Sequence, residues 1–62
     1  MTPDFRYDPE ANAAYLSLSE AKIVESEEVS PGVILDFDAD GRVVGVEFIG
    51  ATERLPADAL AA

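Results

Sequence analysis

Cysteine, histidine and tryptophan are all absent from this chain of 62 residues. Without cysteine there is no thiol nucleophile, no disulfide framework and no thiolate set for a zinc finger. Without histidine the commonest general base is missing. Cations are scarce: four Lys and Arg stand against thirteen Asp and Glu, a net charge of −9. The isoelectric point is near 4.1. Such a chain is repelled by phosphate backbones and by anionic bilayers, so neither nucleic acid nor membrane is an expected partner. No apolar run approaches the ~18 residues of a membrane span. Met1-Thr2-Pro3-Asp4 has neither the basic start nor the apolar stretch of a signal peptide. The expectation is a cytoplasmic protein of bacterial style.

What is present is enough to fold. Apolar residues make up 48% of the chain, so its acidity does not imply disorder. Its length allows a single domain, residues 1–62. A folded monomer of 6.6 kDa buries only about 60% of the surface its unfolded chain exposes. Domains of this size usually need a disulfide, a metal or a second subunit. Disulfides are excluded and no metal set stands out, which leaves association, with a homodimer or a tight hetero-complex as the expectation.

Turn signals recur at short intervals. Asp8-Pro9-Glu10-Ala11-Asn12 fits a type I turn, and Ser30-Pro31-Gly32 a type II turn. Asp38-Ala39-Asp40-Gly41 reads as a hairpin connection with Gly41 at positive φ. Gly50 closes the last strand, and Pro56 opens a short terminal helix. Between the turns lie strands. Phe5 and Tyr7 alternate with Asp4 and Arg6. Ala14, Leu16 and Leu18 alternate with Tyr15, Ser17 and Ser19. From Lys22 to Val29 the apolar phase slips, which predicts a bulge or an edge strand, and Glu25, Glu27 and Glu28 suit an edge that resists aggregation.

Val33 to Asp38 and Arg42 to Ile49 form the strongest unit. Val33, Leu35 and Phe37 share one face, as do Val44, Val46 and Phe48. The opposite faces carry Ile34, Val43 and Ile49 beside Asp36 and Glu47. One apolar face belongs to the domain's own core; the other invites a second layer, from the C-terminal segment with Leu55 and Leu60 or from another subunit. The interface candidates are Leu35, Phe37, Val44, Val46 and Phe48. Tyr7 and Tyr15 are candidate anchors or ordinary packing residues with the hydroxyl in water.

One ligand motif matches in letters. Asp36, Asp38, Asp40, Gly41 and Glu47 satisfy D-x-D-x-D-G-x5-E, the calcium loop of an EF-hand. Its helices have no place here. Pro31-Gly32 blocks an entering helix, and Val43-Val44-Gly45-Val46 is β-branched where the exit helix belongs. The expected object is an acidic β-turn, with weak calcium binding by Asp36, Asp38 and Asp40 as an alternative. Other chemistry is sparse. Ser19 and Lys22 form the one serine-lysine pairing, at a spacing chance supplies often. Glu25, Glu27 and Glu28 read as a solvated edge rather than an acid-base pair. The chain is not expected to be an enzyme, and no cofactor is implied.

Tyr7-Asp8-Pro9-Glu10-Ala11, Ala14-Tyr15-Leu16, Glu27-Glu28-Val29, Gly32-Val33-Ile34-Leu35-Asp36-Phe37-Asp38 and Asp40-Gly41-Arg42-Val43-Val44-Gly45-Val46-Glu47 together resemble a family of small bacterial proteins, the domain-of-unknown-function family numbered 2283. The resemblance runs from about Phe5 to Leu55. Asn12 stands where the pattern suggests an aspartate. The resemblance implies a β-rich domain that is usually the entire protein, and it brings no activity and no catalytic residues. Small families of this kind sometimes accompany basic toxin-like proteins.

The fold expected is mainly β, with α+β as the variant: a small antiparallel sheet or meander, a central hairpin at 33–49, and a short C-terminal helix or turn. The function expected is a non-enzymatic acidic binding or accessory domain that self-associates through an apolar sheet face. The alternatives are an antitoxin-like neutraliser of a basic protein, using Glu25, Glu27, Glu28 and the aspartate turn, and the calcium-binding turn.

Overall fold

In the computed structural model, which describes residues 3–61, every extended segment of the pattern becomes a strand of one sheet. The strands are β1 (Asp4–Asp8), β2 (Ala13–Ser17), β3 (Glu25–Ser30), β4 (Val33–Phe37) and β5 (Val43–Ile49). Two single-turn helices follow, α1 (Ala51–Arg54) and α2 (Ala57–Leu60). Pro56 stands immediately before α2 in an extended conformation, where its missing N–H and fixed φ suit a helix start. All pairings are antiparallel, and the order is β1-β2-β5-β4-β3. The sheet is thus a meander in two pieces, β1-β2 and β3-β4-β5. The break lies after β2, which pairs with β5 rather than with β3. The segment from Leu18 to Val24 carries the chain across to the far edge.

The turns close as their residues dictate. Asp8 Oδ1 accepts the Glu10 N–H at 3.0 Å. Asp38 Oδ1 accepts the N–H groups of Asp40 and Arg42, each at 2.9 Å, so one side chain holds the β4–β5 turn while Gly41 supplies φ 78°. Gly32 also has φ 78°. A Cβ there would lie 2.6 Å from the Ile49 carbonyl oxygen and 2.7 Å from Arg54 Nε, so the Pro31-Gly32 turn needs glycine for both conformation and space. β3 carries the slip its sequence signals: the register shifts between Glu28 and Ser30, leaving Val29 as the extra residue.

Asn12 has φ 50°, a left-handed conformation that asparagine tolerates better than most residues. From there Oδ1 accepts the Thr52 N–H at 3.1 Å, and Nδ2 donates to Thr52 Oγ1 at 3.0 Å. The Asn12 carbonyl accepts the Ala51 N–H at 2.8 Å. The first turn is thereby latched to the start of α1. Asn12→Ala, which removes both side-chain bonds, should cost about 1 kcal/mol and lower the melting temperature by about 4–8 °C. A thermal melt by circular dichroism checks it, and an unchanged midpoint would dismiss the latch.

The core is thin. The buried apolar residues are Ala14, Val44 and Ala51, and no large side chain among the described residues is fully enclosed. The exposed surface is 4321 Å², against roughly 3,900 Å² for a typical monomer of this mass. The radius of gyration is 11.7 Å, against about 10.5 Å for a chain of this length. The dimensions, 33 × 26 × 17 Å, describe a slab. The helices' main contact with the sheet is α1 against β5, and Ala51 of α1 is fully buried.

Candidate functional site

Cross-strand partners lie on the same side of a sheet, so the register assigns each strand residue to a face. One row reads Phe5, Leu16, Val46, Leu35, Glu27 across the sheet from β1 to β3. The next reads Tyr7, Ala14, Phe48, Val33, Ser30. Phe37 pairs with Glu25 on this same side, and alternation adds Leu18 and Val44. This is the apolar face. It brings together all the interface candidates: Leu35, Phe37, Val44, Val46 and Phe48. Val44 differs from the others. It sits at the shift where Phe37 pairs with Val43 and is only 3% exposed, so its own chain already encloses it. Leu35, Phe37, Val46 and Phe48 stay half-buried, and Phe5 and Leu18 are exposed at 36% and 39%. Tyr7 joins this face and Tyr15 does not.

The opposite face mixes Ile34 and Ile49 with polar strand residues and is built around glycine. Ser17, Gly45, Asp36 and Ser26 form a row across β2, β5, β4 and β3. Tyr15 stands beside this row, opposite Glu47, and its ring leans diagonally over Gly45. A Cβ on residue 45 would lie 2.6 Å from Tyr15 Cζ and overlap the hydroxyl. Through that gap the Tyr15 hydroxyl donates to Asp36 Oδ2 at 2.9 Å. Ser26 Oγ donates to Asp36 Oδ1 at 2.6 Å. Asp36 is therefore 7% exposed yet bonded at both oxygens, as a buried carboxylate must be. Of the two expectations for Tyr15, an anchor or a packing residue with its hydroxyl in water, neither includes this bond. The missed signal is Gly45 itself, since an isolated glycine in a β-branched strand marks a close approach.

Burial raises the pKa of Tyr15, with the hydrogen bond to Asp36 and the charges of Asp36 and Glu47 acting in the same direction. The raised value stabilises the fold while the phenol keeps its proton. That contribution is complete below about pH 10, the ordinary tyrosine value, and is lost as pH rises through the folded-state pKa. Tyr15→Phe should be less stable at neutral pH, having lost a hydrogen bond to a buried carboxylate. It should also lose stability less steeply than wild type above about pH 10. Urea midpoints across that range check it; parallel alkaline limbs would remove Tyr15 as their source.

The acidic turn is arranged for closure. Both Asp36 oxygens face Tyr15 and Ser26, and Asp38 Oδ1 is bonded to the turn's own backbone. The structure therefore does not converge Asp36, Asp38 and Asp40 on one point, and Glu47 projects from mid-strand opposite Tyr15. Among the described residues no group of three or more carboxylates is placed to hold a metal ion. The glutamate cluster is divided as well. Glu25 and Glu27 lie on the apolar face's rim, while Glu28 is paired with Ile34 on the polar side, and its Oε2 accepts the Gly32 N–H at 3.0 Å. Ser19 Oγ accepts the Ala21 N–H at 3.0 Å, a local turn contact. Two depressions are shallow and open, one along Glu28, Val29, Ser30 and Pro31, the other between Lys22 and the aspartate turn. The exposed Arg6–Asp4 ion pair, 2.7 Å, contributes little in water. No helix among the described residues is long and apolar enough to cross a membrane.

Comparison with curated proteins and with solved structures gives no match for this chain. Residues 4–51 match a family described as a protein of unknown function, DUF2283. That span takes in all five strands and both of the faces just described, and the chain belongs to this family.

Proposed function

We propose that this chain is a non-enzymatic binding or accessory domain that self-associates through its apolar sheet face. The observation that carries the reading is that face. Phe5, Leu16, Leu18, Leu35, Phe37, Val46 and Phe48 lie together, and none is sealed from water. A contiguous apolar surface of this kind marks an interaction site rather than ordinary exposure. The thin core argues in the same direction, because a chain this small and free of cysteine needs added burial to be stable. The non-enzymatic part of the reading rests on the composition, without histidine or cysteine, and on the shallow surface. Self-association ranks above capture of a basic partner because Glu25 and Glu27 are separated from Glu28 by the sheet.

Native mass tests the proposal. Light scattering or sedimentation equilibrium should give about 13 kDa, twice 6.6 kDa, as expected for a two-fold dimer. The melting temperature should also rise with protein concentration, because association stabilises by mass action. A mass of 6.6 kDa with a melting temperature independent of concentration would overturn the proposal.

A further inference from the structure

The apolar face has a charge asymmetry that restricts how a second copy can cover it. Its charged strand residues, Glu25 and Glu27, both lie on the edge strand β3. The opposite edge, β1, presents Phe5 and Tyr7 on this face. The sheet is five strands wide with β5 at its centre. Strands ~4.8 Å apart and residue pairs ~6.8 Å apart give a footprint of roughly 24 by 20 Å. Two copies face to face then bury on the order of 1,000 Å², the lower bound of a specific interface. The whole face must be used, so the contact extends to both edges.

Sheets that stack with their strands aligned can be related by a two-fold axis along the strands or by one across them. An axis across the strands lays β3 over the partner's β3 and brings four carboxylates together along one edge of the contact. No cation on the strand residues of this face offsets their repulsion. An axis along the strands lays β3 over the partner's β1. Glu25 and Glu27 then rest their methylenes on the rings of the partner's Phe5 and Tyr7, while the carboxylates stay at the wet rim.

The geometry points to this second arrangement: a face-to-face homodimer whose two-fold axis runs along β5, with each β3 over the other copy's β1. It rests on the self-association reading. It places the two copies of Val46 near the axis and the two copies of Glu27 at opposite edges.

The absence of native cysteine makes the test direct. Glu27→Cys, an exposed edge position, is spin-labelled in the full-length chain after its native mass has been measured. The proposed arrangement separates the two Glu27 sites by four strand spacings, about 20 Å, and pulsed electron resonance should report at least that distance. A mixture of labelled Phe5→Cys and Glu27→Cys subunits should give a shorter separation, near the ~10 Å between stacked sheets. A dimer with its two Glu27 labels at about 10 Å overturns the arrangement and leaves self-association standing. A monomeric mass for the unlabelled wild type overturns both.

Discussion

Val46→Asp should leave no stable dimer, giving either a 6.6 kDa species or an unfolded chain. Val46 lies on the central strand β5, flanked by Leu16 on one side and Leu35 on the other. In an isolated sheet it is half-buried. A carboxylate there would keep contact with water and cost about 1–2 kcal/mol, mostly lost packing. Covered by a second copy, the same carboxylate has no partner and no water. The cost then exceeds about 3 kcal/mol, a fall in melting temperature of more than about 12 °C. The size of the loss therefore reports whether the face is covered. Ile49→Asp is the control, because Ile49 pairs with Ala13 on the polar side and is 47% exposed; it should stay within about 1 kcal/mol of wild type. An unchanged melting temperature and native mass in Val46→Asp would remove this face from the interface.

The second large effect concerns the polar side. Gly45→Ala should lower stability by about 2–3 kcal/mol, or about 10–20 °C in melting temperature. The added methyl overlaps the Tyr15 hydroxyl, so the ring must swing away and Asp36 loses a donor while still largely buried. Substitution of glycine within a strand is otherwise favourable by about 0.5–1 kcal/mol. In a Tyr15→Ala background there is no ring to displace, and Gly45→Ala should be neutral or slightly stabilising. The difference between the two backgrounds is a coupling energy, measured by a double-mutant cycle in urea. Equal losses in both backgrounds would show that Tyr15 is not what the glycine accommodates.

These two positions mark where sequence reading succeeded and where it stopped. The apolar face was legible because strand alternation is a local pattern: Val33, Leu35 and Phe37, or Val44, Val46 and Phe48, need only their neighbours to be placed. The slip at Val29 was legible for the same reason, and so were the turns at Asp8, Pro31 and Asp38, each governed by a few adjacent residues. The pairing of β2 with β5 was not. Ala14 and Leu16 announce that they share a face, but nothing local says which strand lies beside them. The link from Tyr15 to Asp36 depends on that pairing and on a diagonal reach over Gly45, so it was out of view too. The role of Asn12 needs the position of Thr52, far along the chain and adjacent only in the fold.

The union of β2 with β5 bears on how the chain is made. Hairpins close over a few residues and form quickly, but an isolated two-stranded hairpin is marginal in water. During synthesis β1 and β2 emerge first, yet the strand that anchors them, β5, follows only after β3 and β4. Until then Leu16 and Phe5 have no third strand beside them and their apolar side is uncovered. The sheet is thus completed only once β5 has been made, and the nascent N-terminal hairpin is the stage at which a chaperone, or another nascent copy, would meet it.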